Sequence, residues 1–192
     1  VGRDVLYGVV AGMGLALIST GHDIILPLLG SPPPSLTQSD VNVWMGPHMS
    51  IGAILLLGRN AFQNTGIVLF AIVLLRMLLR SRLLTAVTTV VIFAATNAGQ
   101  AVGSDTPALD VAFATLMVMF VVAIMVRLGL LTALVMFFTL SVMTSLPLTS
   151  SFSAWYGQAS AVAVVLVVAL AVAGFWLARG DAPLFGRALL DD

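Results

Sequence analysis

The chain has 192 residues, of which 60% are hydrophobic and only 8% charged, with a mean hydropathy of +1.12. A soluble domain carries about 25% charged residues, so this chain has too few charges to cover a globular surface, and most of it must face lipid. The charges are eight arginines and eight aspartates, with no lysine or glutamate. Zero net charge and the lack of a long basic run argue against nucleic-acid binding. Without cysteine the chain has no disulfide, thiolate metal site or cysteine nucleophile.

The first residue is Val1, and no basic region precedes the first apolar run, so no signal peptide is visible. The expectation is a piece of a longer chain rather than one whose leader has been removed. Val5 to Ile18 is apolar and leads into Ser19-Thr20-Gly21-His22-Asp23. A helix from Val5 carries His22 roughly 26 Å along its axis, close to the ~30 Å thickness of a hydrocarbon core. His22 and Asp23 are therefore expected at the far interface. Gly8 and Gly12 make a small-xxx-small pair that lets another helix approach closely.

Ser31-Pro32-Pro33-Pro34 cannot be helix interior and opens a polar loop to about Gly46, with Trp44 as an interfacial anchor. Met49 to Leu57 is apolar but too short to span, and Gly58-Arg59-Asn60 interrupts it. One helix from His48 to Arg80 would be about 50 Å long, more than the core needs. The expectation is an interfacial helix over Pro47–Gly58 and a separate span over Phe62–Leu79.

Leu83–Ala98, Ala108–Val126, Gly129–Leu146 and Ser160–Leu177 read as the remaining spans. Arg127, Pro147 and Arg179 punctuate them, and Trp155 and Tyr156 suit an aromatic belt position. The fold class is all-α, a polytopic membrane protein with six transmembrane helices plus one interfacial helix, forming a single membrane domain. The spans fall at approximately 5–23, 62–79, 83–98, 108–126, 129–146 and 160–177, with outer loop and interfacial helix at 30–60 and a tail at 178–192.

The cluster Arg76, Arg80 and Arg82 between two apolar runs sets the orientation, because such charge is retained on the cytoplasmic side. With that loop inside, six spans place both termini in the cytoplasm, and Arg3, Arg127, Arg179 and Arg187 fall inside too. Arg59 is the one exception among the eight arginines. Arg76 and Arg80 share a helical face suited to anionic lipid headgroups, the same physics as topology setting.

Few residues offer chemistry. Gly12-Met13-Gly14 lacks the preceding strand of a nucleotide loop, and helix packing accounts for it. Arg3-Asp4 lacks the preceding His and downstream Asn of a kinase catalytic loop. His22, Asp23 and His48 fall at one interface and could ligate a metal, a haem or a chlorophyll. Their spacing fits no ligand motif, and solvated histidines are the plainer account. Arg59, Asp105 and Asp110 could form an outer ligand-binding cluster, although paired charges that hold a loop in register serve as well. Met117, Met119, Met125, Met136 and Met143 read as soft fillers between helices. No acidic residue lies at mid-depth and no inverted repeat is evident, which disfavours a pump or transporter. No motif names a cofactor.

Several blocks in order resemble the multi-span C-terminal membrane region of some bacterial serine/threonine protein kinases. They are Val1-Gly2-Arg3-Asp4-Val5-Leu6-Tyr7-Gly8, Leu75-Arg76-Met77-Leu78-Leu79-Arg80, Pro147-Leu148-Thr149, Ser153-Ala154-Trp155-Tyr156-Gly157, Gly174-Phe175-Trp176 and Pro183-Leu184-Phe185-Gly186. Met49–Gly66 and Arg179-Gly180-Asp181-Ala182 depart from that pattern. The resemblance implies a cytoplasmic kinase domain before Val1 and an address in the bacterial inner membrane. It carries over no catalytic residue, so the chain itself is expected not to be an enzyme. The expected role is an anchor or sensor-like membrane region of a kinase-type protein. The alternative is a non-catalytic accessory subunit of a larger membrane complex, in contact with lipids, pigments or partner helices.

Overall fold

The computed structural model describes residues 1–30, 47–101, 104–146 and 157–179. Six helices account for nearly all of them: α1 (Gly2–Leu28), α2 (Pro47–Leu79), α3 (Arg82–Ala101), α4 (Pro107–Leu128), α5 (Leu130–Ser145) and α6 (Gly157–Arg179). No strand occurs among the described residues. Five of the helices are long and apolar enough to cross a membrane, and α5, at 16 residues, is shorter. The Pro-rich loop with Trp44, the Trp155-Tyr156 turn and the tail with Arg187 lie outside the described residues.

α5 is the centre of the bundle. It packs against α1, α2, α4 and α6, and Thr132, Ala133, Met136, Thr139 and Val142 are buried along it. At about 24 Å it falls short of the ~30 Å hydrocarbon core, and its neighbours enclose most of what it has. Its sequence is apolar on every side, as a helix packed all round should be.

Small residues set how closely α1 approaches. A Cβ on Gly8 would stand 2.6 Å from Val135 Cβ and 2.8 Å from Thr132 O. A Cβ on Gly12 would stand 2.6 Å from Thr139 Cβ and 2.7 Å from Met136 O. Only glycine lets the two backbones meet there. Both partner numbers rise by four as the glycine number does, so α1 and α5 run parallel. At the other flank of α1 the order reverses. Gly2 meets Ala178, and a Cβ on Gly174 would lie 3.0 Å from Val5 Cγ1, so α6 is antiparallel to α1.

Tight connections keep sequential helices adjacent. α2 turns into α3 through Arg80, which takes the left-handed φ of 53°, and Ser81. The Ser81 carbonyl then accepts from Thr85 N–H at 3.0 Å to start α3. α4 turns into α5 through Gly129, whose φ of 93° is open to glycine at little cost.

The expected break in the second span is corrected. α2 is one helix of 33 residues that passes through Gly58-Arg59-Asn60 without interruption. A buried stripe of Ala53, Leu57, Ala61, Thr65 and Val68 runs along one face of it. The spacing of four, four, four and three keeps that face continuous across the polar triplet. Arg59 and Asn60 point away from the stripe and are exposed, so nothing in the packing requires the helix to stop. Thr65 Oγ1 donates back to Ala61 O at 2.7 Å, which satisfies its hydroxyl inside the interface.

Candidate functional site

The antiparallel sequence of helices collects the chemistry at two ends of the bundle. Arg3 opens α1, Arg76 lies in the last turn of α2, Arg80 and Arg82 flank the α2–α3 turn, and Arg127 and Arg179 lie in the last turns of α4 and α6. A cation in the last turn complements the unpaired carbonyls at a helix C-terminus, so the same arginines stabilise three helix ends. Arg179 also lies over the Trp176 ring, with Cζ 5.6 Å from its centroid.

At the opposite end α1 and α4 meet through a polar pair. His22 Nε2 donates to Asp110 Oδ1 at 2.7 Å, and both side chains are less than a quarter exposed. His22 Nδ1 lies 3.4 Å from the exposed Asp23 carboxylate. Phe113, one turn into α4 from Asp110, presents its ring to the imidazole edge-on at 5.1 Å. A short imidazole–carboxylate bond beside an aromatic wall makes a fixed clasp rather than two solvated charges.

The expected grouping of polar residues is redrawn accordingly. Asp110 is with His22, and among the described residues no ion pair joins Arg59 to Asp105 or Asp110. Asp105 is exposed in the bend before α4. His48 falls in the first turn of α2, and its side chain lies outside the described residues. Among the described residues no three of His, Cys, Asp or Glu come together as a metal site. The sequence offered no direct signal for the His22–Asp110 bond. Two residues 88 apart meet only when the rotation of both helices about their axes is known.

Just inside that clasp a cavity of about 400 Å³ opens between α2, α3 and α4, with Leu15 of α1 and Phe137 and Leu140 of α5 completing its wall. Its lining is apolar except for Asn64 and Asn97. Asn97 Nδ2 donates to Phe93 O at 2.7 Å, which spends one of its donors within its own helix. Of the methionines, Met125 and Met136 are buried between helices. No protein-family model, curated protein or solved structure matches the chain.

Proposed function

We propose that this chain is the non-catalytic, sensor-like membrane anchor of a kinase-type protein in a bacterial inner membrane, with six spans and both termini cytoplasmic. The observation that carries this reading is the course of α1. It starts next to Val1, near the arginines, and passes the His22–Asp110 clasp at the far side before it ends at Leu28. A change at the clasp therefore acts on the helix that leads to the N-terminus, where the resemblance implies a kinase domain. The clustering of Arg76, Arg80, Arg82, Arg127 and Arg179 supports the orientation.

The intact mass of the protein isolated from its native membrane tests the reading. A mass well above 20.1 kDa, with kinase sequence before Val1, is the expected result. A gene starting within a few codons of Val1 would sink the kinase part. The orientation has its own check, because a chain without cysteine accepts single reporters cleanly. Val1→Cys labelled by an impermeant maleimide from the outside of intact cells would reverse it.

A second reading, an accessory subunit of a larger membrane complex, is favoured by one feature of α2. Arg59, Asn60 and Gln63 are all exposed within an apolar helix. Polar groups in lipid are stabilised by partner helices. Stoichiometric recovery with other integral subunits supports this reading, and recovery as a lone monomer removes it.

A further inference from the structure

We infer that the cleft between α3 and α4 at the arginine-rich end is a binding site for one anionic phospholipid. The open cleft has a volume of about 590 Å³ and is lined by apolar residues except Arg82, at the start of α3, and Arg127, in the last turn of α4. The Arg82 flank runs through Ala86 and Val90 to Val91. Nine residues of helix cover about 14 Å, close to half of the ~30 Å hydrocarbon core. The cleft therefore has the depth of one leaflet, with its charge at the interface and its apolar walls reaching the midplane. An acyl chain fits that length, and a phosphodiester fits the two guanidiniums.

The arginines are available for such a partner. Both are exposed, and among the described residues neither is paired with a carboxylate. Arg82 is also the first residue of α3, where unpaired backbone N–H groups add positive potential toward a phosphate. Basic pockets between membrane helices recognise anionic headgroups by this chemistry. A zwitterionic lipid offers the same chain but sets a cation beside two guanidiniums, so its headgroup is disfavoured. This inference does not depend on a kinase domain or on partner subunits.

The test is native mass spectrometry of the full chain, delipidated and then offered equimolar phosphatidylglycerol and phosphatidylcholine, with inorganic phosphate as a separate arm. The expected result is one retained phosphatidylglycerol per chain. Arg82→Gln and Arg127→Gln each lower its retention about fivefold. Ala123→Phe narrows the apolar part of the cleft and lowers retention with both arginines intact. Arg59→Gln, at the other end of the bundle, leaves retention unchanged, and helical circular dichroism verifies the fold of each variant. Equal retention of phosphatidylcholine overturns the inference, as does undiminished binding in the Arg82→Gln/Arg127→Gln double variant. Inorganic phosphate competing as well as the lipid would also overturn it, since the apolar walls would then contribute nothing.

Discussion

Gly12 lies so close to Thr139 that a Cβ in place of its hydrogen would stand 2.6 Å from Thr139 Cβ. Gly8 bears the same relation to Val135 one turn earlier. Such contacts are shorter than packed carbons tolerate, and the facing atoms include the backbone carbonyls of Thr132 and Met136, which cannot rotate away. Gly12→Val should therefore separate α1 from α5 and destabilise the bundle by about 1–3 kcal/mol. Gly66 is the control, because no atom lies within 4 Å of a Cβ built there. Gly66→Ala should be neutral or slightly stabilising, since alanine is the better helix former. Denaturation in mixed micelles, followed by circular dichroism, measures both. Equal effects at the two positions would contradict the close packing of α1 on α5.

Thr139 also carries the one buried side-chain oxygen without a hydrogen bond among the described residues. Thr65, Thr85 and Thr89 each return their hydroxyl to a carbonyl four residues earlier, at 2.7 to 2.8 Å. Removing an unpaired buried hydroxyl while keeping the side-chain shape recovers its desolvation cost. Thr139→Val should thus stabilise the bundle by up to about 1 kcal/mol, whereas Thr89→Val should not. The same micelle denaturation reads the difference. A clear loss of stability in Thr139→Val would show that its hydroxyl has a partner in the membrane.

The helices were legible in the sequence because lipid-facing runs and their arginine stops are local signals. Gly8 and Gly12 were legible for the same reason, as a spacing on one helix. The continuity of α2 was harder to see. Gly58-Arg59-Asn60 looks like a stop by composition, yet the face that matters is the Ala53-Leu57-Ala61-Thr65-Val68 stripe, which the triplet does not enter. In a helix that is apolar nearly all round, such a stripe does not stand out from its surroundings. The central place of α5 was hidden likewise, since nothing in an apolar 16-residue segment says how many neighbours it will have. The His22–Asp110 bond required the relative rotation of two helices, which periodicity alone does not give.

That bond supplies a prediction of its own. At 2.7 Å, between side chains that are 22% and 23% exposed, it should couple His22 and Asp110 by about 0.5–1.5 kcal/mol in a double-mutant cycle. The cycle uses His22→Ala, Asp110→Ala and the double variant, each followed by unfolding in micelles. Asp23→Ala should show smaller coupling to His22, because its oxygen is 3.4 Å away and the carboxylate is half exposed. Additive effects at His22 and Asp110 would mean that α1 and α4 are not clasped there.

The uninterrupted α2 can be tested by distance. Leu55 and Phe70 are both exposed and lie on either side of Gly58-Arg59-Asn60. Fifteen residues of continuous helix separate their Cα atoms by about 22 Å. Leu55→Cys/Phe70→Cys, spin-labelled in the cysteine-free background, should give a single narrow distance distribution near that value. An interfacial helix joined to a separate span would bend the path at the triplet and give a shorter or bimodal distribution. Asn60→Pro provides the stability counterpart. Proline in the interior of a continuous helix costs about 3 kcal/mol, whereas at a natural break it would cost little. A narrow distance together with a large proline penalty is the combination expected of one helix that carries its buried stripe straight through a polar triplet.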